Sequence, residues 1–155
     1  MSNAAPPREV KTPPRPSTCD EHVKRAAAES ILPQVLKWLE RNGSDYSNDE
    51  EERIGVLEDI IEVVDEDDGY HACKALEREF WTCDRDLVDI LDGLPNLLYK
   101  AEKAAVEAWV TAYGVTVSFA VGDTVKVVKS YHHKDEVGEV KTVYANTATV
   151  TVALP

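Results

Sequence analysis

No stretch of this 155-residue chain approaches the roughly 18 to 20 consecutive apolar residues that a membrane span requires. Residues 1–18 hold five of the eight prolines, where a secretory leader would be apolar, so the expectation is an intracellular, cytoplasmic protein with no membrane partner. Cysteine is scarce as well. Cys19, Cys73 and Cys83 are an odd number without regular spacing, which argues against a disulfide framework and fits a reducing compartment. No glycine-rich phosphate loop, nucleotide fingerprint or nucleophile turn occurs, so the chain is expected not to be an enzyme and to need no cofactor. Basic residues are few: 17 Lys and Arg stand against 29 Asp and Glu, a formal charge of −12 at pH 7. Such an acidic surface repels nucleic acid and anionic lipid, and it favours a protein partner with a basic surface.

The negative charge is concentrated. Between Ser44 and Tyr70 there are twelve acids and one base, Arg53, so this segment carries nearly all of the excess. On a helical wheel, residues 51–66 separate into two halves. Ile54, Val56, Leu57, Ile60, Ile61, Val63 and Val64 occupy one. Glu51, Glu52, Glu58, Asp59, Glu62, Asp65 and Glu66 lie within roughly 140° on the other, interrupted only by Gly55. The spacing predicts an acidic helix over 48–68, begun by Ser47 and Glu50 at capping-box separation. Asp65 to Asp68 would then crowd the negative pole of the helix dipole, at a cost on the order of tenths of a kcal/mol per charge. A solvated helix face is the plain explanation of such a surface. Against it stand the acids at the unfavourable pole and the absence of any lysine from the face. Seven carboxylates along about 22 Å of helix give one per roughly 3 to 4 Å, comparable with one strand of DNA.

Around that helix the chain reads in order as an extended proline-rich arm (1–18), a helical domain (19–114) and a β unit (115–155). Ser17 or Thr18 is expected to cap the first helix, whose apolar stripe runs from Val23 to Leu39. Pro33 either kinks this helix, or Ser30 caps a second one with Pro33 in its first turn. Gly69 opens a further helix bearing Cys73, Leu76 and Phe80, and a short one follows around Leu87 to Leu91. Pro95 suits the first turn of a long helix to Tyr113 with apolar residues on two sides, which predicts a central position. After Gly114 the period changes to two, through Val115 to Phe119, Thr124 to Lys129, Val137 to Tyr144 and Ala148 to Leu154. Three or four short strands are expected.

Within that last third, Val121-Gly122-Asp123-Thr124-Val125-Lys126-Val127, Asp135-Glu136-Val137-Gly138-Glu139-Val140 and Ala148-Thr149-Val150-Thr151-Val152 carry a resemblance. They resemble the SH3-like small barrels, and among these the KOW-type modules of transcription and translation proteins. The resemblance implies a small β-barrel. Ser130-Tyr131-His132-His133-Lys134 stands where the family usually has a glycine-rich basic turn. This loop remains a candidate nucleic-acid contact: Tyr131, His132 and His133 can stack on bases, and Lys129 and Lys134 can pair with phosphates. The β unit is charge-neutral, with four acids and four lysines, which fits an ordinary solvated loop equally well.

Metal sites are not expected. Placing Gly69 at the glycine position of a calcium-binding EF-hand loop puts Val64 and Ala75 where carboxylates are required. Cys19-x-x-His22, His71-x-Cys73 and Cys83 form no paired knuckle, and Cys73 falls on the apolar stripe of its helix, as a buried thiol would.

The expected fold is α+β: an N-terminal all-helical domain of about five helices followed by a small SH3-like β-barrel. The expected function is a non-enzymatic protein-interaction module. Its acidic helix would dock on a basic partner through Glu51, Glu52, Glu58, Asp59, Glu62, Asp65 and Glu66. In its most specific form it would inhibit a nucleic-acid-binding protein by DNA mimicry. The alternative is a nucleic-acid-associated regulatory protein acting through Lys129, Tyr131, His132, His133 and Lys134. Direct contact with nucleic acid is not expected elsewhere.

Overall fold

The structure is a computed structural model and describes residues 12–44 and 49–155. It is mixed α and β, and the chain divides into two compact units. One is helical, Pro16–Ala108. The other is Trp109–Pro155 together with the described end of the arm, residues 12–15.

In the helical unit, α1 spans Glu21–Arg41 and buries Val23, Ala27, Ala28, Ile31, Val35, Trp38 and Leu39 along one stripe. Its N-cap is Asp20, not Ser17 or Thr18. Asp20 makes no side-chain bond into the helix; its Oδ2 instead accepts from the Ser17 amide at 2.8 Å, closing the turn that precedes α1. The helix continues through Pro33, so Ser30 caps no second helix. Its hydroxyl donates to the Ala26 carbonyl at 2.9 Å, bonding back within the same helix.

The acidic helix, α2, spans Glu50–Val63 and is shorter than the predicted 48–68. Asp49 caps it, its Oδ1 accepting from the amides of Glu51 at 2.9 Å and Glu52 at 3.4 Å; Ser47 lies outside the described residues. Val56, Leu57, Ile60, Ile61, Val63 and Val64 are buried as the wheel requires. Ile54 is the exception, at 52% exposure. Asp65 to Asp68 follow directly on its C-cap, Val64, and so flank its negative pole from outside the helix. Asp68 also caps the next helix, α3 (Gly69–Leu76), where its Oδ1 accepts from the His71 amide at 2.8 Å. An acid expected at an unfavourable pole thus serves the favourable one.

A 3-10 turn at Glu77–Glu79 follows, then α4 (Arg85–Leu91), capped by Asp84, and α5 (Leu94–Tyr113). Gly69 permits α3 and α4 to meet. A Cβ there would overlap the Val88 carbonyl and lie 2.7 Å from the Asp92 amide nitrogen, while the Gly69 N–H donates to Asp92 Oδ1 at 2.7 Å. Leu76, Leu87, Leu91 and Leu94 complete the core begun by α1 and α2. Each such side chain contributes about 1.5–3 kcal/mol through its burial. Only one stripe of α5 joins this core: Leu94 and Leu98 are buried with Leu97, Ala101 and Ala105 against them, whereas Ala108 and Ala112 are exposed. On the second apolar side predicted for this helix, Val106 is buried and Trp109 and Val110 are half-buried.

The β unit is an antiparallel sheet in the order β1 (Thr124–Lys126), β2 (Val137–Tyr144), β3 (Thr149–Ala153). Val140 opposite Val152 and Thr142 opposite Thr151 leave Lys141 as a bulge. Val115 to Phe119 forms no strand. Its residues alternate between half-buried and exposed through Ser118, as the period of two implies, but no ladder partner lies beside them among the described residues. Within this unit the described end of the arm is held at two points, Trp109 Nε1 donating to the Pro13 carbonyl at 3.0 Å and Arg15 Nη1 to the Thr147 carbonyl at 2.7 Å. Among the described residues, no helix is long and apolar enough to cross a membrane.

Candidate functional site

The seven carboxylates singled out on the acidic helix divide into two groups. Three are engaged within the helical unit. Arg25 of α1 reaches Glu58 at 2.8 Å and Lys24 reaches Asp65 at 2.6 Å. These bonds raise the pKa of both bases, with the hydrogen bond to the carboxylate as the leading cause. The third, Asp59, is half-buried and accepts from Trp81 Nε1 at 2.8 Å. The other four, Glu51, Glu52, Glu62 and Glu66, make no ion pair among the described residues. Glu51, Glu52 and Glu62 are exposed and Glu66 is half-buried. Glu51 and Glu52 lie in the first turn, where the helix dipole favours their charge.

Asp68, outside the predicted site, is held below the usual carboxylate range, chiefly by the His71 amide and then by the His71 ring at 2.8 Å.

At the amino end of α2 the structure also brings together residues that sequence spacing could not. A pocket of about 730 Å³ opens between the carboxy end of α1, the first turns of α2 and the segment from Glu79 to Asp84. Trp38 of α1 forms part of its wall, its Nε1 donating to Asp84 Oδ1 at 2.9 Å. Trp81 and Phe80 stand on the opposite segment. Phe80 is 95% exposed and has a left-handed backbone, φ +68°, at the position that ends the 3-10 turn. An exposed aromatic at a position suited to glycine serves neither burial nor backbone energy. Periodicity assigned Phe80 to the apolar stripe of its helix. That helix ends first, at Leu76.

In the β unit, the loop residues predicted as the alternative site lie side by side and exposed. Tyr131 is 96% exposed and packs edge-on to His132 with ring centres 4.9 Å apart, and His132 lies 6.4 Å from His133. The loop is closed by the Val127 amide donating to Glu136 O at 2.9 Å and the Asp135 amide to Val127 O at 2.8 Å. Lys129 and Lys134, which flank these residues in sequence, are exposed.

No group of three or more metal-capable side chains assembles among the described residues. Cys73 is buried, and burial pushes its thiol up to about 12; Cys83 donates from Sγ to the Cys73 carbonyl at 3.6 Å. Both read as packing groups.

No protein-family model, curated protein or solved structure matches this chain.

Proposed function

We propose that this protein is a non-enzymatic interaction module that docks a basic segment of a protein partner on the exposed acids of α2. The observation that carries the reading is a helix with one face built into the core and, on the other, Glu51, Glu52 and Glu62 exposed without an ion pair among the described residues. Such a surface accelerates encounter with a basic partner and makes binding salt-sensitive. Mimicry of a nucleic-acid strand would call for charges at even intervals. Compensation of Glu58 by Arg25 and of Asp65 by Lys24 interrupts that ladder, which favours a short basic protein segment over a whole nucleic-acid groove. Inhibition of a nucleic-acid-binding protein is one form such docking takes.

Capture from the native host at low salt, with elution by about 0.5 M salt, tests the proposal. Wild-type protein retains basic proteins through their basic segments, and the variant with Glu51→Lys, Glu52→Lys and Glu62→Lys does not, although its circular dichroism remains that of the folded protein. Equal retention by both removes this face as the interface.

The β unit is read as an SH3-like small barrel of KOW type. Its antiparallel meander, the bulge at Lys141 and Gly138, where a Cβ would lie 2.5 Å from Val152 Cγ1, support that reading. The exposed rings of Tyr131 and His132 between Lys129 and Lys134 favour a second function, contact with single-stranded nucleic acid by stacking. A salt-dependent RNA gel shift lost on Tyr131→Ala with His132→Ala supports it; a shift that persists removes the loop from consideration.

A further inference from the structure

We infer that the pocket at the amino end of α2 receives an arginine side chain of the basic partner, its guanidinium lying on Trp81 and Phe80 and forking onto Asp59 and Glu52. This deepens the docking reading and rests on it.

The walls define the ligand. Both indole N–H groups are already committed, Trp38 to Asp84 and Trp81 to Asp59, so neither is a free donor; Trp38 is buried, and the half-buried Trp81 and the exposed Phe80 are the rings with surface to offer. A cation is the ligand that gains most from such faces. The same two bonds fix the carboxylates, each by one oxygen. Asp59 Oδ1 and Asp84 Oδ2 accept no hydrogen bond among the described residues, and Glu52 and Glu79 add two further acids to the rim. No lysine or arginine is among the described lining residues. Four of the described lining residues are therefore acids and none is a base.

Two residues of the wall are unfavourable to the protein alone. Gly55 sits inside α2, where glycine is unfavourable, yet a Cβ there would meet nothing within 4 Å, so no packing constraint of the fold requires it. A larger side chain would project into the pocket that Gly55 lines. Phe80 keeps a left-handed backbone and 95% exposure, both unfavourable to the protein alone. A flat cation resting against its ring gives that exposure a use. Arginine fits better than lysine because its guanidinium is planar, stacks on aromatic faces and donates in a fork to carboxylate oxygens, whereas an ammonium is a compact, strongly hydrated point charge.

The test uses the full chain and three synthetic peptides of one sequence, in which the basic positions are all arginine, all lysine or all citrulline. Binding is followed by tryptophan fluorescence and calorimetry. The arginine peptide should bind about tenfold tighter than the lysine peptide, and the citrulline peptide should not bind measurably. Gly55→Leu fills the pocket without changing charge and should raise the melting temperature by improving helix propensity. It should also cut arginine-peptide affinity about tenfold, as should Phe80→Ala. Arginine and lysine peptides binding equally, with Gly55→Leu without effect, would overturn the pocket while leaving docking on the acidic face intact. Failure of both charged peptides to bind would overturn the two together.

Discussion

At the amino end of α2, Glu51 and Glu52 are exposed without an ion pair among the described residues, beside a pocket walled by aromatic rings. From Glu58 onward the same helix and its exit give four acids to the fold, Glu58 to Arg25, Asp59 to Trp81, Asp65 to Lys24 and Asp68 to the amide of His71, while Glu62 stays exposed. In the sequence, one acidic arc with a single gap at Gly55 extends across both ends. What separates them is α1, which packs along α2 and carries Lys24 and Arg25 where they reach only its later turns. A run of like charge therefore does not measure the surface available to a partner. The neighbouring helix decides how much of it is left over.

The contrast can be broken most severely at its carboxy end. Gly69→Ala places a methyl group against the Val88 carbonyl and the Asp92 amide, and should cost about 3–5 kcal/mol of stability, read from the denaturant midpoint. Asp59→Ala removes the acceptor of the Trp81 indole and should cost about 1–3 kcal/mol, whereas Glu51→Ala at the amino end should stay within about 0.5 kcal/mol. Lys24→Ala breaks a partly exposed pair and should cost no more than about 1 kcal/mol, less at high salt.

The smallest effect is in pH dependence. The pKa of Asp68 is lowered in the folded state, so its contribution is present above the unfolded value near 3.8 and is lost as pH falls through the folded value. Asp68→Asn keeps a capping side chain but cannot titrate. Its stability difference from wild type, measured by denaturation across the acid limb, should shrink as pH falls below that range. A constant difference would show that the aspartate's charge is not what the cap uses.

Much of the helical unit was legible because burial imposes period: the stripe from Val23 to Leu39 and the buried half of α2 follow directly from spacing. The cap at Asp49, two residues after the expected Ser47, and the end of α2 at Val63 were not, since Ser, Asn and Asp at 47–49 are near-equal capping residues and charge runs on past the helix end. Val115 to Phe119 alternated correctly without becoming a strand, because alternation reports a two-faced extended chain and a strand also needs a neighbour. The acids of the candidate site could be named from sequence, but their pairing could not, since Arg25 and Glu58 lie 33 positions apart. The pocket was hidden for the same reason. Trp38, Gly55 and Trp81 belong to three segments, and only Gly55, a lone gap in the acidic arc, left a trace in the spacing.

Two variants of equal charge provide the most direct test. Glu51→Gln with Glu52→Gln, and Glu58→Gln with Asp65→Asn, each remove two negative charges, one pair from the free end and one from the engaged end. Affinity for the arginine peptide, measured by calorimetry, should fall about tenfold or more in the first and by no more than about twofold in the second. Equal losses in the two would mean that net charge alone governs binding, and would contradict the assignment of the docking surface to the acids of α2 that make no ion pair.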